Sequence, residues 1–366
     1  MRKSILLLVM LLLGWTISLH ADVLKLKNGD VINGTWERVV GGSLVFKSDV
    51  MGEITVDISK IESLETTTPA VALLPKGATV KGRLEVTPQG KWQLVPSAPA
   101  AAQPVEQFVA AYPEKKLAKL ERNMHAKPWQ DWNGTTNLGY SLITGDTQSR
   151  SFNANVGATH ILPNVPGMSV KWRSNFFLTA LFSHAKSSGS PTEISSNTFS
   201  SGLRQDRLFE SSNFVFGLMQ YDYIQPQGIK LRQTYGGGFG RDIIHNPKLD
   251  VSLLGGLTYV RTNLENTTAF PLPPGTSLLQ NSAEALVGEK VSAKLTKWLN
   301  LVHDINFYPN LSQTGEYRFD TSTALAVPLT KRLSFSISYV DFYLSNPLPG
   351  AHKNNATIST GLGVNF

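Results

Sequence analysis

The residues in this chain that could do chemistry are scattered. The histidines are His20, His125, His160, His184, His245, His303 and His352. Hydrolysis by a side-chain nucleophile needs a hydroxyl or carboxylate within hydrogen-bond reach of an imidazole, oriented by a third group. His303 is followed directly by Asp304, yet adjacent residues on a strand point to opposite faces. His184, His245 and His352 fall in connections, and no triad assembles on one face. There is no HExxH pair and no acidic calcium loop. Cysteine is absent, which excludes disulfides, cysteine metal sites and a lipidated cysteine anchor. The run Gly236-Gly237-Gly238-Phe239-Gly240 lacks the Lys-Ser/Thr and following helix of a phosphate loop. It is expected instead to let strands or side chains approach closely. The expectation is a protein that is not an enzyme and takes no metal or cofactor.

The elements around these residues are strands. The last ten residues alternate: Ile358, Thr360, Leu362 and Val364 share one face, while Ser359, Gly361, Gly363 and Asn365 share the other. Period 2 with a terminal aromatic, Phe366, is similar to the assembly signal of outer-membrane barrels. Phe366, Val364 and Leu362 are its expected carriers, and the barrel-assembly machinery its reader. From Asp131 to Phe366 twelve alternating segments occur. Segment eleven is the cleanest, with Leu333, Phe335, Ile337 and Tyr339 between Ser334, Ser336 and Ser338. Segment four, near Phe199 to Phe209, is weak. Segment five sets Phe214, Phe216 and Leu218 on the lipid side, then slips parity into Tyr221 and Tyr223.

On this reading the polar face lines a lumen. Its candidates are Lys171, Arg173, Lys230, Arg232, Asp250, Asp304, Arg318 and Asp320. A cation at the midplane of the lipid face costs about 2–4 kcal/mol, so charges of both signs belong inside. Glu289 and His303 fall on the lipid-facing parity, which predicts a bulge or an interfacial position. Trp132, Trp172, Trp298, Phe307 and Tyr317 sit at segment ends, where an interfacial girdle lies. The connections alternate in length. Those at His184–Asn197, Asn263–Ser277 and Ser345–Asn354 are long; those at Leu295–Lys297 and Leu329–Lys331 are tight, and Gln225–Gln227 is the short exception. Long loops on one side and short turns on the other are a barrel property.

Ahead of the barrel, Met1-Arg2-Lys3 and the apolar run Ser4–Leu13, closing on Leu19-His20-Ala21, read as a signal peptide over residues 1–21. Residues 22–96 read as a small SH3-like or Sm-like β-domain with glycine turns. A second copy is suggested at an offset of 48: Gly29, Gly34, Glu37 and Gly42 match Gly77, Gly82, Glu85 and Gly90. Residues 97–130 read as a Pro/Ala linker with helical segments near Val105–Ala111 and Glu114–Met124. The net charge of +7 comes without a basic block carrying interleaved aromatics, so nucleic acid is not an expected partner.

Several residues carry a resemblance. Trp132, Gly134 and Gly139-Tyr140, then Thr144-Gly145-Asp146-Thr147, Tyr221-Asp222-Tyr223 and the glycine run resemble the salt-stress-induced outer-membrane protein family (YdiY-like), a domain of unknown function. The opening Leu26-Lys27-Asn28-Gly29-Asp30 resembles the small domain ahead of the barrel in some relatives. The resemblance implies the outer membrane of a Gram-negative cell and names no substrate. The fold class expected is therefore all-β: a transmembrane antiparallel barrel of about 12 strands at 131–366, with residues 22–96 in the periplasm facing a partner or peptidoglycan. The function expected is a structural or narrow-lumen barrel of the envelope, tied to salt or osmotic stress, in contact with outer-membrane lipids. The alternatives are a channel for small polar or anionic solutes, and a lipid hydrolase around His303 or His160.

Overall fold

The computed structural model describes residues 21–75, 77–87, 91–97, 102–143, 147–187, 193–209 and 212–366. The signal-peptide reading, the centre of the Pro/Ala stretch, Gly90 of the repeat and the turn Thr144–Asp146 lie outside them. Two compact units emerge, one running to His125 with Asn164–Met168, the other made of Ala126–Pro163 and Ser169–Phe366.

The first unit is one sheet path built from two similar halves. The first half contains β1 (Asp22–Leu26), β2 (Val31–Val40), β3 (Ser43–Ser48), β4 (Gly52–Asp57) and β5 (Ile61–Glu65). The second contains β6 (Ala70–Leu73), β7 (Thr79–Val86), β8 (Trp92–Pro96), β9 (Gln103–Pro104) and β10 (Ala110–Pro113). The offset of 48 holds in the hydrogen-bond register. Asp22 opposes Gly34 as Ala70 opposes Gly82, and Trp36 opposes Phe46 as Leu84 opposes Leu94. Gly29 and Gly77 both take positive φ, +93° and +87°, and each donates its N–H over 2.9 Å to the carbonyl three residues back. Only glycine adopts that turn without strain. A 3-10 turn precedes the last strand of each half, at Ile58–Lys60 and at Val105–Gln107. One apolar cluster serves both halves, with Leu24, Trp36, Leu44 and Phe46 beside Ala72, Leu84, Trp92 and Leu94.

This corrects the expected limits of the small domain and the linker. The strand that closes the second half is β10, which inserts between β2 and β6. The stretch near Val105–Ala111 is therefore a 3-10 turn and a strand, because Ala110 and Ala111 find backbone partners on both sides. The helical reading holds for α1 (Leu117–Met124), whose Leu120 is buried against Leu73 and Tyr112.

The second unit is a closed barrel of twelve antiparallel strands. They are β11 (Asn133–Ile143), β12 (Thr147–Leu162), β13 (Trp172–Ser187), β14 (Glu193–Leu208), β15 (Asn213–Ile224) and β16 (Ile229–His245). Then follow β17 (Leu249–Leu264), β18 (Leu279–Thr296), β19 (Leu299–Pro309), β20 (Tyr317–Pro328), β21 (Leu333–Leu344) and β22 (Asn354–Asn365). Each strand pairs with the next, and β22 pairs with β11 to close the ring. That closing seam is short. It holds four opposed pairs, from Thr135–Asn365 to Leu138–Leu362, extended by reciprocal Gly134 and Phe366 backbone bonds of 3.0 and 3.1 Å. By contrast, β12 and β13 oppose each other from Thr147–Ser187 to Leu162–Trp172.

Alternation sorts the side chains. Leu138, Tyr140, Phe239, Leu257, Ile358 and Leu362 stand exposed on the outer wall, with Phe239 and Ile358 each 75% accessible. An apolar outer wall over a polar inner one is the pattern a bilayer selects. One segment departs from expectation. Phe214, Phe216 and Leu218 point inward, and Met219, Tyr221 and Tyr223 point outward, with β14 and β15 in unbroken register through all of them. There is no parity slip; the aromatic run fills the barrel instead of facing lipid. Glu289 also sits in unbroken register, opposite Leu253 and Ile305, so it faces outward without a bulge.

Candidate functional site

The site that sequence and fold converge on is the barrel interior. Its charged residues come from alternate positions of β13 to β20. Arg173 donates to Asp206 at 2.8 Å and to Asp242 at 3.1 Å, and Arg204 donates to the other oxygen of Asp206 at 2.9 Å. Asp242 also accepts from Ser252 at 2.7 Å. Further along the lumen, Arg232 donates to Asp222 at 2.9 Å, and Asp222 accepts from Ser200 and Gln220. Arg318 donates to Glu284 at 3.0 Å and to Asp320 at 2.6 Å, with its guanidinium 3.5 Å from the centre of the Tyr308 ring. Every guanidinium in these clusters meets a carboxylate. An unpaired buried charge carries a desolvation penalty of several kcal/mol, so the pairing is what allows the clusters to exist.

Between and beside these groups lies apolar filling. Phe214, Phe216, Leu254, Leu286 and Tyr308 form one buried cluster inside the ring, with Phe214 1% exposed. Gly236, Gly238 and Gly240 supply the inner face of β16 opposite these side chains. A Cβ on Gly240 would fall within the Phe214 ring, which is what the glycine run makes room for.

The lumen is bridged across its width. Asn355 of β22 donates to Thr198 of β14 at 3.0 Å, Gln220 of β15 to Asp320 of β20 at 3.1 Å, and Lys290 of β18 to Asn175 of β13 at 3.3 Å. These partners lie four or five strands apart around the ring, so each bond spans the interior. At the end bearing the longer connections, the turn Gln225–Gln227 folds inward. Gln227 Nε2 donates to the carbonyls of Phe342 at 2.7 Å and Lys353 at 3.2 Å. Ile224, Ile229, Leu264 and Phe342 close over this end as a second apolar cluster. A cavity of ≈ 20 Å³ remains between Asn153, Asn155, Thr179, Thr357 and Ser359. That is room for about one water. Toward the other end, Val302 and Ser322 are exposed on the inner wall, giving an open vestibule.

Of the lumen residues expected from sequence, Arg173, Arg232, Asp304, Arg318 and Asp320 lie on the inner wall, and all but Asp304 join the arginine–carboxylate clusters; Asp304 accepts from Asn306 at 2.6 Å. Lys171 precedes β13 and is exposed, Lys230 is exposed beside a register shift in β16, and Asp250 pairs with His245 at a strand end. Sequence reading missed Arg204, Asp206, Asp222, Asp242, Glu284 and Lys290. A signal existed for three of them: Asp222 lies between two outward tyrosines, and Arg204 and Asp206 share one parity of the weak fourth segment.

Outside the lumen, His303 Nδ1 lies 2.8 Å from Thr323 Oγ1, on adjacent strands of the outer wall. His160 is buried beneath Trp132, with ring centroids 5.5 Å apart. Among the described residues no three His, Cys, Asp or Glu side chains are grouped to hold a metal.

Fold and interior together define a class: a closed twelve-stranded barrel with an apolar outer wall and a lumen bridged by its own side chains. The protein belongs to DUF481, a family of proteins of unknown function, whose family model matches residues 136–366. No curated protein matches the chain. Among solved structures, it is similar to the translocator domain of autotransporter NalP from Neisseria meningitidis (13% identity, TM-score 0.35, covering 69% of this chain and 93% of that one). It is also similar to the COG4313 outer membrane channel from Pseudomonas putida F1 (10% identity, TM-score 0.37, covering 66% and 98%).

Proposed function

We propose that the protein is an outer-membrane barrel that serves the envelope structurally and does not conduct. Residues 1–21 direct export, and the two-copy β-domain stands in the periplasm with the short turns of the barrel. The observation that carries this reading is the set of hydrogen bonds across the lumen, from Asn355 to Thr198, Gln220 to Asp320 and Lys290 to Asn175. The arginines that would attract anions are already neutralised, which speaks against an anion pore. Resemblance to the salt-stress-induced family points the role toward osmotic stress. Purified protein in planar bilayers is expected to give no stepwise current in concentrated KCl; regular single-channel steps overturn the reading. A deletion strain is expected to lose fitness in high salt.

The hydroxyl–imidazole pair of Thr323 and His303 on the outer wall supports a second reading, a lipid hydrolase. Release of fatty acid from phospholipid that disappears in His303→Ala would establish it.

A further inference from the structure

We infer that the short-turn end of the barrel carries a basic collar that binds the phosphates of anionic glycerophospholipid. This rests on the orientation proposed above, which puts the collar at the inner leaflet. The barrel's two ends differ sharply in charge. At the end where β11 begins and β22 finishes, Lys248, Lys297, Lys331 and Arg332 are exposed on three of the turns. Arg207 and Arg241 extend the set along the outward faces of β14 and β16. Among the described residues, Asp206 and Asp242 at this end face inward to arginines, and Asp250 holds His245. At the opposite end Lys230, Arg261 and Lys353 are interspersed with Glu265, Glu316 and Asp341.

The position of the collar favours lipid over a soluble polyanion. Arg207 lies 4.7 Å over the Trp172 ring and Lys297 lies 4.7 Å over Trp298, and both indoles are exposed on the outside. Indoles of this kind settle at the headgroup level, and a cation stacked on one is held there. Leu295, Leu329 and Leu333 stand exposed next to the same turns, marking the edge of the apolar wall. Cations at the boundary of an apolar band are attracted to an anionic surface in proportion to their number, and salt weakens the attraction.

The test uses full-length protein reconstituted in bilayers, with quenching of its tryptophan fluorescence by dibrominated lipid. Phosphatidylglycerol is expected to compete about threefold better than phosphatidylcholine for the protein surface, and high salt should reduce the ratio toward one. The quadruple variant Lys248→Gln, Lys297→Gln, Lys331→Gln, Arg332→Gln is expected to abolish the preference. Its folding is checked by far-ultraviolet dichroism and heat-modifiable gel migration. Equal quenching by the two lipids in the wild type, or a preference that survives in the folded variant, overturns the collar. Orientation is read separately. The natural chain has no cysteine, so a single Lys331→Cys can be probed with an impermeant maleimide on intact cells. Labelling there overturns the inner-leaflet assignment and leaves the phosphate preference to stand on the quenching alone.

Discussion

Phe214 and Gly240 show how finely the interior is fitted. The ring occupies the space a side chain at 240 would need. Gly240→Ala is expected to destabilise the barrel by about 1–3 kcal/mol through overpacking. Phe214→Ala should cost about 3–5 kcal/mol through the cavity left behind. Because the two sites touch, the double variant should cost less than the sum, as a double-mutant cycle of urea unfolding from lipid vesicles would measure. The ion pairs respond differently. Asp222→Asn leaves Arg232 without its nearest counter-charge, with Asp320 left at 3.9 Å. The same unfolding assay should show a loss of about 3–5 kcal/mol, whereas replacing both partners with apolar residues should cost less.

In the first unit, the buried Tyr112 hydroxyl has no hydrogen-bond partner, and burial raises its pKa above the usual phenol value, opposed in part by Arg38. The folded state then keeps the proton to higher pH than the unfolded chain. Stability should be fully present below about pH 10 and fall as pH rises through the raised value. Tyr112→Phe should flatten that alkaline decline, as amide hydrogen exchange of the first unit within the full-length protein at several pH values would reveal.

At the scale of elements, Asp22 ties the opening strand to β2 and to the connection between β5 and β6. Its carboxylate accepts the backbone N–H of Trp36 and of Thr67, each at 3.0 Å. Asp22→Ala strands those donors and should cost the β-domain about 1–3 kcal/mol, measured by amide hydrogen exchange of that unit within the full-length protein. How much of the architecture the sequence disclosed differs from element to element. β21 announced itself because its serines alternate with large apolar residues and both faces obey the bilayer rule. β15 misled because an aromatic run looks lipid-facing until one knows that the glycines of β16 make room for it inside. β14 was faint because Ser201, Gln205 and Arg207 lie on its outer face, so hydrophobicity alone gave little contrast. The closing strand of the second half-domain, β10, was hidden in an Ala/Pro-rich stretch whose strand character comes from partners on both sides and not from its own side chains. The arginine–carboxylate pairings were beyond sequence reading, since they depend on which residues meet across the ring.

For the whole molecule, the bridged interior makes the barrel a solid body more than a tube. Its assembly should depend on the terminal strand, where Leu362 and Val364 face outward and Phe366 ends the chain. Removing Phe366 is expected to lower the yield of heat-modifiable, membrane-inserted protein several-fold in cells. Unchanged yield would show that assembly does not depend on Phe366.

The short β11–β22 seam sets a mechanical hierarchy. Backbone bonds in a sheet share a load along their line, and the stitch with fewest of them parts first. A force that pries the wall open should split it there, turning the cylinder into a curled ribbon before any other pair of strands separates. Amide hydrogens of Thr136 and Leu138 would then exchange ahead of their counterparts along β12 and β13.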